Sequence, residues 1–159
     1  AWAYQLGDNW SFDLIGTYTL KKETTPLPGA PETKYDCQGT ISPRCYPNPK
    51  WRHTATATWD STDWWAVTAR WRYFGEVDYD GTTDQLVEEN GSLGRAINYF
   101  DLNAVFRFMD TNDVVVGVNN VFDKAPPLMG GTISTNGNTI VGFYDTLGRY
   151  IYANVTLRW

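Results

Sequence analysis

The chain has 159 residues, with thirteen Lys and Arg against eighteen Asp and Glu, a formal net charge of −5. That is the size of one domain, and it is too acidic for a general nucleic-acid binder. Apolar residues make up 42% and aromatics 16%, more than a disordered chain carries.

A membrane-spanning helix needs about 20 consecutive apolar residues, and the clean runs here, such as Val114 to Val118, are far shorter. The first residues offer no initiator Met, basic segment or apolar stretch of a secretory leader. A leader is therefore expected to have been removed, or the chain to be part of a longer one.

Period-two alternation runs through most of the chain. Ala1 to Leu6 reads as the tail of one strand, ended by the tight polar turn Gly7 to Asn9. Trp10 to Lys22 follows, with Trp10, Phe12, Leu14, Gly16, Tyr18 and Leu20 on one face and Ser11, Asp13, Thr17 and Thr19 on the other. A long connection, Lys22 to Lys50, holds Cys37 and Cys45 among Gly, Pro, Ser and Asn. Their spacing is too wide for a CxxC zinc or redox motif, and no other Cys completes one, so a loop disulfide is expected. Closing so short a loop is worth roughly 2.5 to 3 kcal/mol in the chain-entropy account. It also implies an oxidising compartment.

Trp51 to Trp59 alternates Trp51, His53, Ala55, Ala57 and Trp59 with Arg52, Thr54, Thr56 and Thr58. After the turn Asp60 to Asp63, Trp64 to Glu76 sets Trp65, Val67, Ala69, Trp71 and Tyr73 against Thr68, Arg70 and Arg72. The connection Val77 to Ile97 is long, and Glu76 to Asn90 carries Glu76, Asp78, Asp80, Asp84, Glu88 and Glu89 with no base. Asp78-Tyr79-Asp80-Gly81 lacks the rest of an EF-hand loop, so this stretch reads as a solvated loop. Phe100, Leu102, Ala104, Phe106 and Phe108 alternate with Asp101, Asn103, Val105 and Arg107. Past the turn Asp110 to Asp113, Val114, Val116 and Val118 alternate with Val115, Gly117 and Asn119. Asp123 to Gly148 is the third long connection, and the last strand sets Ile151, Ala153, Val155, Leu157 and Trp159 against Tyr152, Asn154, Thr156 and Arg158.

Tight turns thus alternate strictly with long loops, the layout of an up-and-down transmembrane barrel. About ten residues at roughly 3.3 Å rise, tilted about 45°, cover roughly 23 Å, close to the apolar band of such a barrel. None of the apolar faces carries Asp, Glu, Lys or Arg. A soluble antiparallel sheet packed on a core predicts the same alternation. The aromatics favour the membrane, since Trp10, Trp51, Trp59, Trp65, Trp71, Tyr73, Phe108 and Trp159 fall mostly near strand ends, as bilayer-interface girdles do.

Gly117-Val118-Asn119-Asn120-Val121-Phe122-Asp123-Lys124 with Pro126 and Pro127, then Tyr144-Asp145-Thr146-Leu147-Gly148-Arg149-Tyr150 running on to Leu157-Arg158-Trp159, resembles the C-terminal end of TonB-dependent outer-membrane receptors. Pro49-Lys50-Trp51-Arg52-His53 is also similar to receptors of this group. The resemblance spans the chain and is weak in the loops. It implies that residues 1–159 are the C-terminal part of an outer-membrane β-barrel domain, about seven strands of a barrel of about 22. On that resemblance the N-terminal plug and the earlier strands are expected to lie outside residues 1–159. It implies active uptake of a scarce nutrient such as a siderophore-bound iron or an oligosaccharide, with the long loops outside the cell and the C-terminus at the periplasmic face. Expected partners are the rest of the receptor, the TonB energy-transducing complex, outer-membrane lipids and, through Ile151, Ala153, Val155, Leu157 and Trp159, the outer-membrane assembly machinery.

Asp13, Arg52, Arg70, Arg72, Asp101 and Arg107 are expected to face the lumen or plug, because charges facing lipid cost about 2 to 4 kcal/mol at mid-depth. Tyr35, Tyr46, Tyr79, Phe143 and Tyr144 lie in the loops and are candidate ligand contacts, although loop aromatics also serve as anchors. No catalytic set, cofactor motif or metal site is marked: His53 stands alone, and Gly130-Gly131 lacks the ending of a phosphate loop. Two other readings stay open. A secreted carbohydrate-binding β-sandwich would use exposed Trp side chains as a sugar platform, and a small structural or adhesive outer-membrane barrel would need an even strand count.

Overall fold

The computed structural model describes residues 1–7, 9–27, 29–30, 33–42, 44–61, 63–79, 94–109, 111–128, 139–141 and 143–158. Its strands are β1 (Trp2–Leu6), β2 (Trp10–Tyr18), β3 (Glu23–Thr24), β4 (Tyr35–Asp36), β5 (Thr40–Ile41), β6 (Trp51–Asp60), β7 (Trp65–Phe74), β8 (Asp78–Tyr79), β9 (Ile97–Phe108), β10 (Asn112–Asn119) and β11 (Tyr150–Thr156). There is no α-helix among the described residues. Trp159, the acidic residues from Asp80 to Glu89 and the Gly130-Gly131 pair lie outside them.

Seven strands form one sheet in the order β1-β2-β6-β7-β9-β10-β11, with every neighbouring pair antiparallel. The sheet is open, with β1 and β11 at its edges. The seven long strands match the alternating segments because β-branched and aromatic side chains fit a pleated surface with one apolar face. Gly7 makes the first tight turn at φ 66°, and Met109 enters the left-handed region at φ 51° to make the third.

Register joins the alternation of single strands into two continuous faces. Tyr4, Phe12, Ala57, Ala69, Leu102, Val118 and Ile151 form one apolar row across all seven strands. Ala3, Asp13, Thr56, Arg70 and Asp101 form a row on the opposite face. A slip of one residue in any strand would put its polar side chains on the apolar face, so the pattern itself selects this pairing.

No second layer covers the apolar face among the described residues. Trp2 is 81% exposed, Leu102 46% and Ile151 73%. The buried core lies elsewhere, at the long-loop end on the polar face, where Ile41, Val77, Ile97, Tyr99 and Tyr144 pack with Phe74, Tyr79, Ile140 and Phe143. All three long connections contribute to it. The first two are tied by a short parallel ladder, Thr40 beside Asp78 and Ile41 beside Tyr79. Within the first, β3 pairs with β4, and the expected disulfide joins Cys37 and Cys45 with Cα atoms 5.5 Å apart.

Candidate functional site

The polar face carries an ion-pair network where β7 and β9 meet the loops. Asp101, 5% exposed, accepts from Arg70 Nε, Arg72 Nε, one terminal nitrogen of Arg72 and the backbone N–H of Asn120, each at 2.8 Å. Arg70 and Asp101 are cross-strand partners, so alternation and register bring them together. Arg72, two residues along, also grips both carboxylate oxygens of Asp145 in the third long connection. Its guanidinium lies 5.0 Å from the ring centre of Tyr99, whose hydroxyl accepts the Asp145 backbone N–H at 3.3 Å. Two guanidinium groups face two carboxylates, so the cluster is neutral, and bidentate pairing fixes its geometry as well as its charge.

The segment from Asn120 to Lys124 is a structured turn. Asn120 and Asp123 both adopt left-handed backbone, at φ 51° and 53°, which Asn and Asp tolerate better than most residues. The Asn120 amide donates to the Lys124 carbonyl at 2.9 Å and accepts the Lys124 N–H at 2.8 Å. Asp123 Oδ1 accepts the Arg149 N–H at 2.8 Å, and Gly148, at φ 67°, lies so close that a Cβ there would meet the same oxygen at 2.7 Å. The two ends of the third long connection are thereby clamped together.

A cleft of about 260 Å3 opens beside this network, lined by Arg70, Arg72, Asn119, Tyr144, Asp145 and Tyr150 among others. Arg70 has a side chain 43% exposed, and among the described residues its Nε and one terminal nitrogen are engaged, the latter to Asn119 at 3.4 Å. A second cleft of about 220 Å3 holds Arg52 with Thr17, Thr54 and Phe74. With both carboxylates of the network held by guanidinium donors, the chemistry on offer is ion pairing and hydrogen bonding.

The six charged residues expected to share a face, Asp13, Arg52, Arg70, Arg72, Asp101 and Arg107, all lie on the polar face. They do not form one cluster. Arg107 pairs with Asp60 at the opposite, tight-turn end through bonds of 2.9 and 2.8 Å. Asp13 and Arg52 form no ion pair among the described residues.

The loop aromatics divide. Tyr46 is 80% exposed, and Tyr35 lies under Arg44 at 5.0 Å. Tyr79, Phe143 and Tyr144 belong to the loop core, and burial pushes the Tyr144 hydroxyl up to about 12. Phe143 lies 5.0 Å from the rings of Phe74 and Tyr144, and Tyr144 also borders the cleft at Arg70. Ile151, Ala153 and Val155 share the apolar face of β11, and Leu157 lies beyond its end.

Asp145, Asn120 and Tyr99 were not among the sequence-predicted site residues. Asp145 lies 73 positions from Arg72, and only the folded third connection brings the two together. A signal was present, since two arginines on one strand face call for more acid than Asp101 supplies. No family model, curated protein or solved structure matches the chain.

Proposed function

We propose that the chain is the C-terminal part of a TonB-dependent receptor, a plugged outer-membrane barrel of about 22 strands that takes up a scarce nutrient. One observation carries the membrane reading: a continuous apolar face, seven strands wide, lies uncovered among the described residues, while the charged residues of those strands share the other face. A soluble sandwich needs a second sheet over that face.

The aromatic side chains support the same reading. At the tight-turn end Trp10, Trp59, Trp65, Trp64 and Phe106 make a chain of ring contacts, with centres 4.5 to 6.5 Å apart. At the loop end Trp51, His53, Tyr73, Trp71, Phe100 and Phe122 make another. On β6, β7, β9 and β10 alanine, valine and leucine fill the band between them, as between the two interfaces of a bilayer. The receptor assignment itself rests on the resemblance of residues 117–124 and 144–159.

In this account further strands meet β1 and β11, the ligand binds among the extracellular loops and the plug, and TonB supplies the energy. The disulfide and loop core hold part of the vestibule wall, and the clefts at Arg70 and Arg52 face the lumen. The C-terminal strand is read by the assembly machinery at the periplasmic side.

The test is fractionation followed by uptake. The protein should be found in the outer membrane, and its deletion should abolish TonB-dependent uptake of one member of a panel of ferric siderophores, cobalamin and oligosaccharides. Recovery as a detergent-free soluble protein would overturn the proposal.

A further inference from the structure

Arg70 and Arg72 stand two residues apart on the same face of β7, yet their guanidinium groups end differently. Arg72 has all three nitrogens bonded, to Asp101 and Asp145, and its side chain is 20% exposed. Arg70 is held through Nε by Asp101 at 2.8 Å, its Nη2 reaches Asn119 at only 3.4 Å, and its Nη1 has no partner among the described residues. The buried Asp101 carboxylate thus orients the Arg70 group while its two terminal nitrogens keep donors to spare.

Arg70 lines the cleft of about 260 Å3 at the loop end of the polar face. The opposite wall comes from the end of the third long connection. It is built in place by the Arg72–Asp145 pair and by the bond from the Arg149 N–H to Asp123. The spare donors select an anion, and the surroundings select its kind. A carboxylate meets two guanidinium nitrogens with two coplanar oxygens. Asp101 and Asp145 already balance the two guanidinium groups, so a second negative charge on the ligand would be repelled, which favours a monoanion over phosphate. Tyr144, Leu147 and Tyr150 give the cleft an apolar side that suits a short hydrocarbon or ring body. The volume is below the roughly 300 to 1,000 Å3 of sites for drug-sized molecules, so the ligand is small.

We propose that the Arg70 cleft binds a small organic monocarboxylate, gripped by the two terminal nitrogens of Arg70. The ligand displaces only the weak contact to Asn119 and leaves the Asp101 bond intact. Binding there needs only that the polar face meet water, and it is independent of what meets the apolar face.

The experiment uses the whole purified protein and labels its arginines with phenylglyoxal, which reacts at the two terminal nitrogens of a guanidinium group. Benzoate is the probe, and benzamide, the same shape without the charge, is its control. Rising benzoate should protect Arg70 saturably, read by mass spectrometry of the modified peptide. Arg52, on the same face and without an ion pair among the described residues, should stay unprotected. Arg70→Lys keeps the charge beside Asp101 but loses the fork, and should weaken benzoate binding by about tenfold or more in calorimetry, while Arg52→Lys should not. No protection of Arg70 by benzoate, equal protection of Arg52, equal protection by benzamide, or full affinity in Arg70→Lys would each overturn the site. Inorganic phosphate protecting Arg70 as well as benzoate does would overturn the choice of a monocarboxylate.

Discussion

Replacing Asp101 by Asn removes a charge and almost no volume, so it isolates the network's electrostatics. The native carboxylate accepts four bonds of 2.8 Å, three from guanidinium nitrogens and one from the Asn120 backbone. An amide keeps one oxygen and turns an NH2 toward a guanidinium, so at least two of the four are lost. Charge-assisted bonds contribute about 1.5 to 3 kcal/mol each, a gross loss of about 3 to 6. Arg70 is half-exposed and recovers hydration, and Arg72 retains Asp145, which brings the expected cost to about 3 kcal/mol. Reversible urea unfolding in lipid vesicles, followed by Trp fluorescence, should show this as a lower midpoint at unchanged slope. Asp13→Asn, an exposed carboxylate on the same face, should stay within about 0.5 kcal/mol. Equal effects of the two substitutions would refute the claim that the network, rather than net charge, stabilises this end of the sheet.

Three further outcomes are expected. Replacing both Cys37 and Cys45 by Ser should cost roughly 2.5 to 3 kcal/mol and expose the connection between β2 and β6 to protease, read by limited proteolysis with and without reductant. The Tyr144 hydroxyl is pushed up to about 12 from an ordinary 10.0, mainly by burial and then by Tyr99. The folded state therefore favours the neutral phenol: the contribution is complete below pH 10.0 and is lost as pH rises toward about 12, visible as a late phenolate absorbance rise that Tyr144→Phe reduces in amplitude. Finally, Ala57→Arg should destabilise the membrane-inserted protein by about 2 to 4 kcal/mol, while Thr56→Arg, one residue away on the polar face, should cost within about 0.5, both measured by urea unfolding in vesicles.

The long strands were legible because each has one face without charge, and alternation along a strand survives any tertiary context. Trp10 to Tyr18 and Trp51 to Asp60 needed nothing beyond the period of two. The strands β3, β4, β5 and β8 were not legible, since two residues carry no period and their pairing depends on the loop core they help build. The same core explains the loop aromatics: Tyr46 and Tyr144 look alike in sequence, yet one is 80% exposed and the other 6%. Arg70 and Asp101 could be placed on one face from sequence, but their pairing needed the register between β7 and β9. The Asn120 turn was visible only as a motif, and its hydrogen bonds to Asp101 and Lys124 supply the physical reason for the residues it contains.

The most direct test of the central claim is nitroxide labelling along β6, one cysteine at a time from Arg52 to Trp59, in the protein as it stands in its membrane. Collision rates with lipid-soluble oxygen and with a water-soluble nickel complex report which face meets which solvent. Strict alternation is expected, with Ala55, Ala57 and Trp59 open to oxygen and closed to nickel. Labels at those three positions shielded from both reagents would contradict it and would mean that the apolar face is buried against protein.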